Sequence, residues 1–301
     1  MTTMIALVGE QPLPNFLPVR HYHPSNVVLV YTARTQQKYE YLKATLQKEV
    51  KVRGLQTDPY DIPAIAKALD EELDNLTPII AQPLVFNLTG GTKTMSLAAY
   101  QIAQQRNSPI MYLQSEGKRT RVFHYTWEYQ QSQATGSEVL PELVTLRDVF
   151  DLHFGPGKWQ ELGSKRKTTD QRGRLFEEAL AATLALHGFE VMVGVRGLGG
   201  QIDIDIAVRS GNQYGIIEAK TGSKITRLEG IQQLHTAVKH LGTYSQTFYA
   251  ITGVLEPAQK ELVDVSNIQV ISLLNYDGTR DPLSPEDATK LLSTVEKTLK
   301  G

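Results

Sequence analysis

The 301-residue chain is 41% hydrophobic, enough for proper cores, and its 31 basic and 32 acidic side chains nearly cancel, so any nucleic-acid site must be a local basic patch. It has no cysteine, which excludes disulfides, cysteine zinc sites and a cysteine nucleophile and suits a cytoplasmic protein. No apolar run of about 18 residues occurs, so no membrane span is expected, and the opening MTTMIALVGEQPLPN lacks the basic and long apolar regions of a signal peptide.

Taken in order, residues 4–8 read as a short buried strand running into a loop held by Pro12 and Pro14. Residues 26–31 read as a second buried strand, which gives way after Thr32 to a helix over 35–48 with Tyr39, Leu42 and Leu46 at helical spacing. A third strand is expected at 51–55, a helix at 62–76, a fourth strand at 84–88 and a helix at 93–105. Residues 109–114 and 121–127 are expected to pair across a turn at Glu116-Gly117-Lys118. Strands alternating with helices predict an α/β fold with a mainly parallel sheet covered on both faces.

Such sheets bind ligands beyond the carboxyl ends of their strands. Loops 9–15, 32–36 and 89–93 fall there. The last places paired glycines, two hydroxyls and a lysine at a helix start, where backbone N–H groups and the helix dipole favour an anion. It lacks the spacing of a P-loop, and a helix cap with a tight turn is the plain alternative.

Residues 130–137 (QQSQATGS) read as a flexible polar connector and 140–154 as a short helix. Residues 155–174 carry Lys158, Lys165, Arg166, Lys167, Arg172 and Arg174 against Glu161 and Asp170. This run is either a solvated connector or a strip that tracks phosphates. Residues 173–187 have helical period, with Glu177 near the buried edge and Glu178 outward. A strand at 189–195 and a mobile glycine turn at 197–200 precede an alternating hairpin at 201–220. A helix at 225–241, strand at 247–252, helix at 257–265, strand at 268–274 and helix at 285–299 complete the chain.

The hairpin carries the chemistry. Gly211-Asn212 suits a two-residue turn that needs positive φ. That turn sets Ser210 opposite Gln213, Asp205 opposite Glu218 and Asp203 opposite Lys220, and it puts Asp203, Asp205, Glu218 and Lys220 on one face. Facing Cβ atoms lie about 4.5–5.5 Å apart, so the carboxylates repel unless a cation lies between them. Magnesium, a hard cation with oxygen ligands, fits. Lys220 beside them can hold an anion. A solvated, mixed-charge strand pair is the alternative. The histidines offer less: His235 and His240 share a helix at a spacing poor for joint ligation, and no Ser-His-Asp set emerges from order or spacing.

The motifs LVGEQPLPN (7–15), VLVYTARTQQ (28–37) and FNLTGGTKTMSLAAY (86–100) resemble those of CARF domains, the Rossmann-like sensors of CRISPR-associated proteins. The resemblance covers about residues 1–130. It implies a homodimer with cyclic tetra-adenylate on its two-fold axis. By position it implies Gln11, Asn15, Thr32, Thr35, Thr89, Gly90, Gly91, Thr92 and Lys93 as ligand-binding residues. Met95 is equally a core position.

Gly-x-x-Phe-Glu on a helix, then Asp, then Glu218-Ala219-Lys220 across a hairpin resembles the PD-(D/E)xK nuclease core over about residues 170–252. The family's proline before the aspartate is replaced by Ile204. The resemblance selects Asp205 over Asp203 and adds Glu177. It implies magnesium or manganese on Asp205, Glu218 and the Ala219 carbonyl, with Lys220 orienting the attacking water, and a DNA or RNA substrate. The expected architecture is an N-terminal Rossmann-like CARF domain (1–130), a linker (131–169) and a C-terminal restriction-endonuclease-like α/β domain with a central mixed sheet (170–301). Two alternatives stand beside this: a regulator that binds without cutting, and a sensor that cleaves its own ligand with help from Thr35, Thr89 and Lys93.

Overall fold

The apolar runs near the start pair in parallel, Thr3 opposite Asn26 through Leu7 opposite Val30. Met4, Ala6, Leu7, Leu29 and Val30 are fully buried, as strands covered on both faces must be. The structure is a computed structural model that describes residues 2–76, 83–116, 119–163, 170–225, 228–242, 244–276, 278 and 283–300. The expected turn at 117–118 and Lys165, Arg166 and Lys167 lie outside the described residues.

The chain divides into two units, Met1–Leu143 with Asp151–Pro156, and Val144–Phe150 with Gly157–Gly301. The first holds β1 (Thr3–Leu7), α1 (Leu13–Tyr22), β2 (Asn26–Tyr31), α2 (Gln36–Leu46), β3 (Lys51–Gln56), α3 (Ile62–Leu76), β4 (Leu84–Asn87), α4 (Lys93–Gln105), β5 (Ile110–Glu116), β6 (Arg119–Glu128) and β7 (Gln131–Val139). Its sheet runs β3-β2-β1-β4-β5-β6-β7. The pairings from β3 to β5 are parallel and those of β6 and β7 antiparallel. The order reverses between β1 and β4, the place where such sheets open a crevice. Ile5, Leu7, Val28, Val30 and Phe86 pack with Ile65, Leu69 and Leu73 of α3 and Met95, Ala99 and Ile102 of α4.

Two elements differ from expectation. Residues 9–15 are read as a loop because of their prolines, yet 13–15 already belong to α1, which runs on to Tyr22. Pro14 stands in its first turn, where a missing N–H costs nothing. Pro18 lies inside and cannot bond the Pro14 carbonyl; that oxygen accepts Asn87 Nδ2 at 2.8 Å instead. The stretch 130–137, expected as a flexible connector, falls almost wholly in the edge strand β7 (Gln131–Val139), so the first unit continues past residue 130. All nine residues of β7 are exposed, and a strand that buries nothing leaves no apolar period to read.

The remaining elements are α5 (Leu146–Phe154), β8 (Trp159–Glu161), α6 (Gln171–Leu186), β9 (Glu190–Gly197), β10 (Ile202–Ser210), β11 (Gln213–Lys220), α7 (Glu229–Leu241), β12 (Gln246–Ile251), α8 (Pro257–Val265), β13 (Gln269–Ser272) and α9 (Pro285–Lys300). The second sheet runs β13-β12-β11-β10-β9-β8, parallel from β11 to β13 and antiparallel elsewhere. Phe176, Leu180 and Leu184 of α6 pack on Ile206, Val208, Ile217 and Ala219, with Leu291 and Val295 of α9 in the same core. Among the described residues, no helix is long and apolar enough to cross a membrane.

Asp170 caps α6, accepting the Gly173 N–H at 2.9 Å, and pairs with Lys224 just beyond β11 at 2.5 Å. Those two hydrogen bonds, Lys224 first, hold its carboxyl below the usual aspartate range. Asp170→Ala should cost about 1 kcal/mol of stability near neutral pH. A folded-state pKa below the unfolded one contributes stability above the unfolded value, and this is lost as pH falls through the folded value. The gap between wild type and variant should therefore close in acid, which melts across a pH series would record.

Candidate active site and ligand cleft

The β10–β11 hairpin adopts the register expected from its turn. Ser210 faces Gln213, Ala207 faces Ile216 and Ile206 faces Ile217. Gly211 takes φ +63° at the turn. Toward the next rung a side chain takes over from the backbone: Asp205 Oδ2 accepts the Ala219 N–H at 3.0 Å. Asp205 and Glu218 are buried, at 4% and 2% exposure. Lys220 Nζ donates to Glu218 Oε1 and lies 3.6 Å from Asp205 Oδ2. On its β9 side Asp203 faces Arg196, its Oδ2 accepting from Nη2 at 3.2 Å.

Burial first, and then Asp205, push the Glu218 carboxyl well above its usual range, with Lys220 opposing. Burial also works against the Lys220 ammonium, but Glu218 and Asp205 outweigh it and hold its pKa above the ordinary lysine value. The two directions conflict, since a neutral Glu218 would not hold the lysine. Lys220 bonded to Glu218 and 3.6 Å from Asp205 is the arrangement of one ammonium shared by two acids. Tyr249, opposite Glu218 in the β11–β12 register, is pushed up to about 12 chiefly by burial, so it is a neutral phenol at working pH.

Glu177 is also buried, at 9% exposure. Its helix covers Ile217 and Ala219, which alternate with Glu218 and Lys220 and so face the other side of the sheet. Among the described residues, no three His, Asp or Glu side chains are spaced to hold a metal. A divalent cation fits the hairpin nonetheless. Two buried carboxylates and the Ala219 carbonyl form a hard oxygen set, and magnesium usually keeps several waters. The negative charge of the two acids, now shared with Lys220, is what such an ion would neutralise.

In the first unit, loops after β1, β2, β3 and β4 line a cleft of about 560 Å³. Of the residues expected to bind ligand, Thr32, Thr35, Gly91 and Thr92 line it, as does Met95. Thr32 and Thr35 cap each other across their turn. Asn15 and Thr89 serve an internal strut. Asn15 Nδ2 donates to the Leu7 carbonyl at 2.8 Å, and Asn87 Nδ2 reaches Asn15 Oδ1 at 3.3 Å. Thr89 Oγ1 donates to Asn87 Oδ1 at 2.6 Å and accepts from Leu113 N at 2.8 Å. A Cβ at Gly90 would collide with the Leu7 carbonyl oxygen, so only glycine fits there. Gln11 is half-buried just before α1, and Lys93 is exposed at the first position of α4.

Sequence reasoning missed the loop after β3. Thr57, Asp58, Pro59 and Tyr60 line the cleft, and Thr92 and Thr94 tie that loop to α4 by donating to the Pro59 carbonyl at 2.9 and 2.5 Å. The signal was available, since β3 is a parallel strand ending at the same edge as its neighbours. Arg34 was missed too. It lines the cleft and pairs with Glu10 at 2.9 Å. Nearby, burial pulls the Lys38 ammonium below its usual value, with Glu10 opposing.

A mainly parallel sheet with a loop-lined cleft, followed by a second mixed sheet bearing an acid–acid–lysine hairpin, is the architecture of a sensor-like domain joined to a nuclease-like domain. Residues 3–142 match the family model for the Card1 CARF domain, and residues 169–276 match that for a restriction endonuclease. The protein therefore consists of an N-terminal CARF domain and a C-terminal restriction-endonuclease-like domain, as both motif sets implied.

Several solved structures share this fold, three of them over nearly the whole chain. Can2 from Sulfobacillus thermosulfidooxidans, in complex with cyclic tetra-adenylate, has a TM-score of 0.74 at 16% identity and covers 100% of both chains. Protein VC1899 from Vibrio cholerae has a TM-score of 0.71 at 12% identity, over 99% of this chain and 98% of that one. A type III CRISPR defence DNA nuclease activated by cyclic oligoadenylate has a TM-score of 0.67 at 17% identity, over 97% of this chain and 51% of that one. No curated protein sequence matches the chain.

Proposed function

We propose that this protein is a cytoplasmic, metal-dependent nuclease of type III CRISPR defence, switched on by cyclic tetra-adenylate. The observation that carries the reading is the buried Asp205–Glu218–Lys220 cluster in a restriction-endonuclease-like domain that shares its chain with a CARF domain. The cyclic tetra-adenylate in the Can2 structure and the cyclic-oligoadenylate activation of the type III nuclease support the choice of ligand.

In this reading Asp205, Glu218 and the Ala219 carbonyl would hold magnesium or manganese, which would supply an acidified water and polarisation of the scissile phosphate. Lys220 orients the attacking water and meets the charge that grows on the phosphate oxygens. Glu177, on the helix that covers the other face, contributes through water. The water oxygen bonds to phosphorus as the bond to the leaving nucleotide oxygen breaks. Two copies share one activator across a two-fold axis. Each offers its cleft, with the α4 start and Lys93, Arg34 and Lys38 as cationic partners for phosphates. Asn15 and Thr89 set the loops those partners stand on.

The test is cleavage of labelled single- and double-stranded DNA and of RNA, with and without cyclic tetra-adenylate and manganese, for wild type and Glu218→Ala. Activator-dependent cutting by wild type alone is expected. Cutting without activator, or undiminished cutting by the variant, overturns the reading. Activator-dependent retention of nucleic acid without cutting would make the protein a regulator.

A further inference from the structure

We infer that Tyr249 is a positioning residue for phosphodiester cleavage, its hydroxyl forming a second station for the Lys220 ammonium. This rests on the nuclease reading above and goes beyond it.

Tyr249 is fully buried, and among the described residues its hydroxyl has no hydrogen-bond partner. Buried polar atoms are nearly always satisfied, and an exception calls for a physical reason. Phenylalanine would fill the same space without the orphaned oxygen, and the chain uses it at the adjacent Phe248. The surroundings supply a reason. Tyr249 lies beside Glu218 in parallel register, on the face that bears Glu218 and Lys220. Helix α7 closes over it through Gly230. A Cβ there would stand 3.1 Å from the Tyr249 oxygen and 3.2 Å from Lys220 Cε. The phenol oxygen and the last carbon of the lysine therefore flank a single point, and the ammonium is one bond further on.

At rest that ammonium bonds Glu218 and lies near Asp205, the two carboxylates proposed to hold the metal. An ammonium and a divalent cation cannot both take their charge. When the cation is held there, Lys220 has to release Glu218, and the nearby phenol oxygen can accept its N–H. A neutral acceptor also leaves the full positive charge of the lysine available to the phosphate. A carboxylate would cancel it.

Full-length Tyr249→Phe tests this with two readouts. The first is thermal melting and calcium titration, with calcium as a probe of the cation site. Without calcium the variant should melt at or above the wild-type temperature, because an unpartnered hydroxyl has gone. Its calcium affinity should fall about tenfold, the scale of one hydrogen bond to a charged group. The second is steady-state cleavage with manganese and activator. There kcat should fall about tenfold or more with KM unchanged. Calcium affinity and kcat equal to wild type would overturn the inference, as would a variant that melts lower without calcium, since the hydroxyl would then be a fold contact. A wild type that neither binds calcium nor cuts overturns the nuclease reading and this inference together. A wild type that cuts beside an unaffected variant overturns this inference alone.

Discussion

Asp205→Asn is expected to lower activator-dependent cleavage by about 10³-fold or more, while the metal-free protein stays as stable as wild type or becomes more so. The amide keeps the shape of the side chain, and its oxygen can still accept the Ala219 N–H that Asp205 Oδ2 takes at 3.0 Å. What disappears is one of two charges confined beside each other. Burial and Asp205 together push the Glu218 carboxyl upward, so neutralising Asp205 removes a repulsion while Lys220 keeps its contact with Glu218. A residue kept only for the fold would behave otherwise, losing stability along with its charge. Cleavage time courses and thermal melts on the same preparations separate the cases. Cleavage near the wild-type rate, or a large drop in melting temperature, would count against a catalytic Asp205.

The second large effect is expected at the ligand loop. A Cβ on Gly90 would lie 2.0 Å from the Leu7 carbonyl oxygen. That oxygen already accepts Asn15 Nδ2, which is linked through Asn87 to Thr89 and Leu113. A methyl group there has no room without moving backbone. Gly90→Ala should destabilise the first unit by about 1–3 kcal/mol and weaken cyclic tetra-adenylate binding, because the loops after β1 and β4 lose their common brace. Lys93→Ala offers the contrast. Lys93 is exposed, so its loss should leave melting unchanged and still weaken binding, since a phosphate partner has gone. Calorimetric titration with the activator, beside melts, tests both. Wild-type affinity in both variants would remove the ligand from this end of the sheet.

The legible parts of the sequence were those with a strong period or a decisive turn. Gly211-Asn212 between two alternating runs was enough for the register through Ile206 and Ile217. The apolar stripes of α3, α4 and α8 marked those helices to the residue. Three features were hidden for separate physical reasons. The prolines of α1 imitate a loop unless one knows that Asn87 satisfies the Pro14 carbonyl. An all-polar edge strand such as β7 leaves no trace of burial. In TFYAI, Tyr249 reads as one more apolar residue of a buried strand; only the packing of Gly230 and the unmet hydroxyl set it apart. Sequence periodicity reports which face is buried. It does not report which polar atoms were left unanswered there.

The rims of the first sheet carry a consequence of their own. Open strand edges are templates onto which another chain can add a strand. Here β3 presents exposed Lys51 and Arg53 at one margin. At the other, β7 is polar along most of its length and meets β6 through a register shift at His124 and Tyr125. Extending the sheet from the β3 margin would trap like charges against each other, and from the β7 margin it would gain little apolar contact. The same guarded margins discourage freshly made chains from zippering into fibres in a crowded cell.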